Sequence, residues 1–300
     1  MPSRLLDPES LARIAKMELV AQQAVEGFLS GKHPSPYFGS SVEYADHRPY
    51  TIGDEISDID WKLLAKTDKY YVKLFEEQTN LRCTIVLDTS RSMQFTSGPM
   101  TKLDYGAHLA AALAYLMLRQ NDAVGLALFD HEVRHFMPAR ATGSHFGHLV
   151  KLMEEARAHS ETRIGKVLHE LAGRLRRRGL VVIISDLLDD LDAITNGIAH
   201  FRYRHHEVIL FHVMDPDELS FPYERLSRFK DQEGTAMIVA NPRTVRSRYL
   251  ERVEKFLKQI KVGCLELGAS YQLAQTNTPY DQMLSRYLEQ RARLKKKRRG

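Results

Sequence analysis

Cysteine is scarce in this chain of 300 residues: there are two, Cys83 and Cys264, far apart and each in an apolar context. Neither belongs to a C-x-x-C pair, so the sequence encodes no disulfide framework and no zinc knuckle. Long hydrophobic runs are missing as well. The longest, Leu109 to Leu118, is about half of the roughly 20 residues that cross a bilayer, so no transmembrane segment is expected. The opening residues Met1-Pro2-Ser3-Arg4 lack the charged, apolar and small-residue zones of a secretion signal. A cytoplasmic, reduced protein is the resulting expectation. A phosphate-cradling loop is also lacking, because Gly165-Lys166 is followed by Val167 and no glycine stands at the required upstream position.

Excess charge of one sign is confined to one place. The chain carries 43 Lys and Arg against 38 Asp and Glu, a formal +5, which suggests a polyanion binder. Yet residues 1–82 hold 10 basic and 13 acidic side chains, residues 83–215 hold 15 of each, and Arg291 to Gly300 hold 7 and none. Without the last ten residues the formal charge would be −2. What remains, 43% hydrophobic and 27% charged, is the composition of a globular protein able to bury a core.

Periodicity supplies the elements. Apolar residues at Leu11, Ile14, Met17, Ala21, Ala24 and Phe28 predict a helix ended by Gly31 and Pro34. Short β-like pieces, Ser41–Tyr44 and Tyr70–Phe75, complete a small α/β extension over residues 1–80. Cys83-Thr84-Ile85-Val86-Leu87-Asp88 then reads as a strand buried on both faces. Helices are predicted over 102–119, 144–158, 163–178 and 190–204, and the first opens with the capping spacing Thr101-x-x-Asp104. Between them lie strand-like Ala123–Phe129, Val133–Met137, Leu180–Ser185 and Glu207–Val213. Beyond residue 215 come a strand at Ala236–Ala240, a long helix from Thr244 to Leu267, a short strand Tyr271–Ala274 and a last helix capped at Thr278-Pro279. Strands alternating with helices predict an α/β domain over 81–290: a doubly wound, mostly parallel sheet with helices on both faces. Residues 291–300 form a basic tail, expected to be solvated and mobile.

The strand ending at Asp88 runs into Asp88-Thr89-Ser90-Arg91-Ser92. In extended chain alternate side chains point the same way, so Asp88, Ser90 and Ser92 converge. The carboxyl ends of the strands form the ligand crevice of such sheets, and two further segments reach it: Thr162, before a helix, and Asp186, at the end of Leu180–Ser185. Three hydroxyls and two carboxylates form an oxygen-only set suited to Mg²⁺, with Mn²⁺ as an alternative. Hydroxyls neutralise none of the ion's charge, so such a site favours an external carboxylate. D-x-S-x-S by itself also fits a turn cap; the combination with Thr162 and Asp186 is what points to metal.

Asp88-x-Ser90-x-Ser92, Thr162 and Asp186, in this order, resemble the metal-ion-dependent adhesion site of von Willebrand factor A domains. The upstream residues Val42-Glu43-Tyr44-Ala45-Asp46-His47-Arg48-Pro49-Tyr50, Gly53-Asp54 and Ile59-Asp60-Trp61-Lys62 look like the signature of the bacterial group called domain of unknown function fifty-eight. Ser57 and Lys66 depart from it, standing where such proteins often carry arginine. The resemblance covers roughly residues 30–290. It implies a von Willebrand factor A-like fold and a non-enzymatic interaction module, an adaptor or co-chaperone of a MoxR-type AAA+ ATPase. Asp88, Ser90, Ser92, Thr162 and Asp186 would be its metal ligands and a partner's Asp or Glu would complete the shell. Within the upstream signature, Trp61 and Tyr50 are expected in the core and Arg48 paired with Asp54 or Asp60.

Other signals carry less. His131-Glu132-Val133-Arg134-His135 matches H-E-x-x-H, but zinc hydrolysis needs both histidines on one helical face, and here the residues join two β-like runs. His145 and His148 read as surface or packing residues. Arg174, Arg176, Arg177 and Arg178 complement a helix's carbonyl pole. A metal-assisted phosphoester hydrolase using the same five residues is an alternative for which the sequence offers no obvious general base. Weak attraction of the tail to nucleic acid or anionic lipid is another, without interleaved aromatics for base stacking.

Overall fold

The computed structural model describes residue 5 and residues 41–51, 59–78, 81–158, 160–225, 227–230 and 237–299. The helix expected over Leu11–Phe28 and the Arg48–Asp54 pairing lie outside the described residues and side chains. The chain divides into two compact units, Gly31–Asn80, and Met1–Ser30 with Leu81–Gly300. Leu5 belongs to the second: it is buried in a cluster with Leu81 and Cys83.

In the smaller unit, β1 (Ser41–Pro49) pairs antiparallel with β2 (Tyr71–Gln78), with a register shift between Tyr44 and Asp46. Between them lies α1 (Trp61–Thr67), which the sequence did not reveal because it is barely two turns long. Its N-cap is Asp60, whose carboxylate accepts from the amides of Lys62 and Leu63. Trp61, expected in the core, is 56% exposed. At the first position of so short a helix its ring faces outward, while Ile59 and Val72 take the buried places.

The larger unit is built on a six-stranded sheet. Its strands are β3 (Arg82–Asp88), β4 (Ala123–Phe129), β5 (Val133–Arg140), β6 (Leu180–Ser185), β7 (Glu207–Met214) and β10 (Ser270–Gln275), in the order β10-β7-β6-β3-β4-β5. All neighbours are parallel except β4 and β5. β3, β4, β6 and most of β7 are buried on both faces, which is why their sequences are continuous apolar runs. Alternate residues enter two cores. Ile85, Leu87 and Val182 pack with α2 (Lys102–Arg119), α3 (Gly143–Glu155) and α8 (Tyr280–Arg299); Val86, Val181 and Ile183 pack with α4 (Ile164–Arg174), α5 (Leu191–Tyr203) and α7 (Pro242–Glu266). The doubly wound, mostly parallel α/β sheet is therefore as expected. A short hairpin, β8 (Ser227–Lys230) with β9 (Met237–Ala240), and a single turn, α6 (Pro216–Ser220), complete the unit.

Three local details follow from the sequence. Thr101 caps α2 reciprocally: its hydroxyl accepts from the Asp104 amide at 3.0 Å and donates to the Asp104 carboxylate at 2.8 Å. Gly165 and Gly197 let α4 and α5 touch, since a Cβ on Gly165 would lie 2.6 Å from that of Ala193. The tail expected to be mobile is helical to Arg299: α8 is already nucleated by a packed first half, and Lys and Arg propagate a helix well.

Candidate functional site

The carboxyl ends of β3 and β6 lie side by side, with Leu87 opposite Ile184, and the loops that leave them gather the oxygen atoms. Asp88 is fully buried at the end of β3. Its Oδ1 accepts from the Ser90 amide at 2.8 Å, which curls the chain into the short 3₁₀ turn Arg91–Gln94 that carries Ser92. Ser90 Oγ and Ser92 Oγ are 3.0 Å apart and both residues are buried. Thr162 arrives from the loop before α4, its hydroxyl 3.4 Å from each Asp88 oxygen. That loop is pinned to the β3 turn by the Arg91 amide donating to the Ser160 carbonyl at 2.9 Å. Four of the five residues singled out in the sequence therefore form one cluster around Asp88.

Asp186 lies beyond the end of β6, fully buried, close enough that its charge acts on Asp88. Its Oδ2, however, accepts from Lys102 Nζ at 2.7 Å, and the same ammonium donates to Glu218 Oε1 at 2.7 Å. Its backbone carbonyl accepts from His212 Nε2 at 3.0 Å, while His212 Nδ1 accepts from the Tyr271 hydroxyl at 3.0 Å. Ser185, one residue earlier, donates its hydroxyl to Asp88 Oδ2 at 2.5 Å and accepts from the Leu187 amide. Leu187 takes a left-handed conformation, φ 58°, a strained choice for a branched side chain that is in keeping with a functional turn. The Glu218 carboxylate also accepts from the Asp215 amide at 2.9 Å. Asp215, buried after β7, accepts from the amide and hydroxyl of Ser97.

Charge in this setting follows burial. Burial first, then the Asp186 charge, pushes the Asp88 carboxyl up to about 7 against the hydrogen bonds from Ser185 and Ser90. Burial pulls His212 down to about 4, so it is a neutral imidazole with both nitrogens engaged. Burial works against the Lys102 ammonium, but Asp186 and Glu218 outweigh it and raise its pKa.

The donor set is hard oxygen. Among the described residues no three His, Cys, Asp or Glu side chains converge to hold a metal; the atoms that converge are mainly hydroxyls. At Mg–O distances of about 2.0–2.1 Å, neighbouring oxygens of an octahedron lie roughly 3 Å apart, and the Ser90–Ser92 spacing of 3.0 Å fits that edge. Asp88, Ser90, Ser92 and Thr162 are the residues able to hold such an ion. Ser185, Lys102, His212 and Glu218 were not found from sequence, since each is an ordinary residue in its own element and only the fold brings them together.

The H-E-x-x-H run is confirmed as a turn into β5 and not a helix: His131 precedes the strand, and Glu132 is paired with Arg134 at 2.6 Å. His145 is a packing residue, its Nε2 donating to the Val124 carbonyl at 2.8 Å. Cys83 and Cys264 are free and buried in separate cores. No helix of the described residues is long and apolar enough to cross a membrane.

The sheet order, the single antiparallel edge strand and the oxygen-lined loops after β3 and β6 give this unit a von Willebrand factor A-like fold. BatB from Bacteroides thetaiotaomicron shares the fold: its structure aligns with 71% of this chain and 99% of its own, at 16% identity and a TM-score of 0.50. The chain belongs to the family described as Protein of unknown function DUF58, which matches residues 46–258. Among its relatives, the uncharacterized protein Rv1480 of Mycobacterium tuberculosis is 28% identical over 222 residues, spanning 72% of this chain and 68% of that protein. The uncharacterized protein YeaD of Bacillus subtilis is 24% identical over 174 residues, 57% of this chain and 41% of that one.

Proposed function

We propose that this protein is a metal-dependent interaction module without chemistry of its own. Mg²⁺, or Mn²⁺ in its place, is held by Asp88, Ser90, Ser92 and Thr162, with Asp186 as a further carboxylate, direct or through water. The observation that carries this reading is the pair of serine hydroxyls 3.0 Å apart beside a buried carboxylate. A bound ion neutralised chiefly by Asp88 keeps positive charge and offers an open position to an Asp or Glu of a partner protein. We take the partner to be a MoxR-type AAA+ ATPase, the class that the sequence resemblance implies, for which this chain would act in the cytoplasm as adaptor or co-chaperone. The hydrolase alternative gains no base from His212, whose two nitrogens are committed to the Asp186 carbonyl and the Tyr271 hydroxyl. Weak attraction of nucleic acid or anionic lipid would rest on the basic residues of 291–300.

The test is capture of a MoxR-type AAA+ ATPase by the immobilised chain. Capture is expected in Mg²⁺, is lost in excess chelator, and is lost in Asp88→Ala while the circular dichroism spectrum stays unchanged. Undiminished capture in chelator would overturn the proposal.

A further inference from the structure

Lys102 stands where a lysine is most costly. It is the first residue of α2, at the positive pole of an 18-residue helix where a cation is disfavoured. It is also fully buried, and a buried ammonium must be completely paired. The pairing is supplied by Asp186 and Glu218, each at 2.7 Å, with the Phe95 ring 5.8 Å away. Packing alone would be served as well by an apolar side chain of the same length, since a buried ion pair contributes little net stability over a hydrophobic replacement. A residue that breaks local rules in this way belongs to function more often than to folding.

Its position suggests which function. Among the described residues Lys102 forms no hydrogen bond or ion pair with Asp88, Ser90, Ser92 or Thr162; it holds Asp186, whose carboxylate shares no hydrogen bond with that cluster although its charge acts on Asp88. An Mg²⁺ ion with Asp88 as its only inner carboxylate carries a net single positive charge, whereas direct ligation by Asp186 as well would cancel it. Resting on the metal reading above, we propose that Lys102 is a positioning residue that keeps Asp186 out of the ion's inner shell, so that tight binding of the ion requires a carboxylate from outside. Glu218, held in turn by the Asp215 amide, fixes the ammonium from the far side. The site is thereby tuned to stay electrophilic until a partner arrives, and Lys102 sets its selectivity for acids.

The experiment is a Mn²⁺ titration of the full chain, read as free Mn²⁺ by electron paramagnetic resonance, with and without saturating acetate as the external carboxylate. In the wild type, acetate tightens Mn²⁺ binding about tenfold, and D186N weakens binding but keeps that acetate response, whereas Asp88→Ala abolishes binding; in K102M/E218Q, Mn²⁺ binds about tenfold tighter without acetate, acetate adds little, and adding D186N removes the gain. K102R, which keeps the charge, behaves as wild type. The double-mutant cycle separates displacement of Asp186 from simple removal of a nearby cation, which would tighten binding whether or not Asp186 is present. Loss of Mn²⁺ binding on D186N in the wild type as complete as that on Asp88→Ala overturns the proposal, and that variant decides the matter even if K102M/E218Q does not fold. So does K102M/E218Q binding Mn²⁺ no tighter than wild type. If folded wild-type protein takes up no Mn²⁺ with or without acetate, the metal reading fails and this inference falls with it.

Discussion

Asp122 illustrates, away from the site, how burial sets the chemistry of single side chains here. Its Oδ1 accepts from the Leu81 amide at 2.9 Å, but its buried Oδ2 has no hydrogen-bond partner among the described residues, and burial, partly offset by the Leu81 amide, pushes the carboxyl up to about 7. Between roughly pH 4 and 7 the folded chain therefore holds a proton that the unfolded chain has released, so this group's contribution to stability falls as pH rises through that window. Unfolding in urea at pH 5 to 8 is expected to show wild type losing about 1–3 kcal/mol more than Asp122→Asn across the range; parallel losses would contradict it. Legibility in the sequence divides along the same physical line. Asp88, Ser90 and Ser92 could be read because local chain geometry alone aligns them. Lys102, Ser185 and Glu218 could not, because their roles depend on contacts across as many as 116 positions. Trp61 was misplaced because apolar character indicates burial only on average.

At the scale of elements, the central strands were readable because burial on both faces demands uninterrupted apolar sequence, and Leu180–Ser185 and Ala123–Phe129 have the bounds the sequence predicts. α1, α6 and β8 are short pieces whose formation depends on neighbours, so no periodicity marks them. What the elements do for the site is best seen at α4. Thr162 lies just before it, and the helix is seated by the contact of Gly165 with Ala193 of α5, whose Cβ and carbonyl would lie 2.6 and 2.7 Å from a new methyl. Gly165→Ala is expected to force α4 away from α5, costing about 1–2 kcal/mol by urea unfolding after the gain in helix propensity is counted. Through the displacement of Thr162 it should also weaken Mn²⁺ binding. Unchanged stability and unchanged ion affinity would show that α4 does not position the threonine.

Across the whole molecule, the formal +5 resolves into two parts. Seven basic residues lie within the last ten positions, and the remainder is slightly acidic. The structure gives that terminal segment a start that is anything but detached: Arg291 donates to Ser270 Oγ at 2.5 Å and faces Glu207 at 3.7 Å, so its first residue is built into the larger unit at the beginning of β7 and β10. The oxygen cluster sits at the opposite, carboxyl ends of the strands, in loops after β3 and β6 and before α4. The carboxyl ends of the strands thus carry the hydroxyls and carboxylates while the amino ends of β7 and β10 meet Arg291, the first of the basic run within α8, and net charge says nothing about the site. The most direct test of the account is isothermal titration of the purified full chain with Mn²⁺, in the presence of acetate, beside Asp88→Ala. One ion per chain bound by the wild type and none by the folded variant is the predicted result; equal binding by both, or none by either, would contradict it.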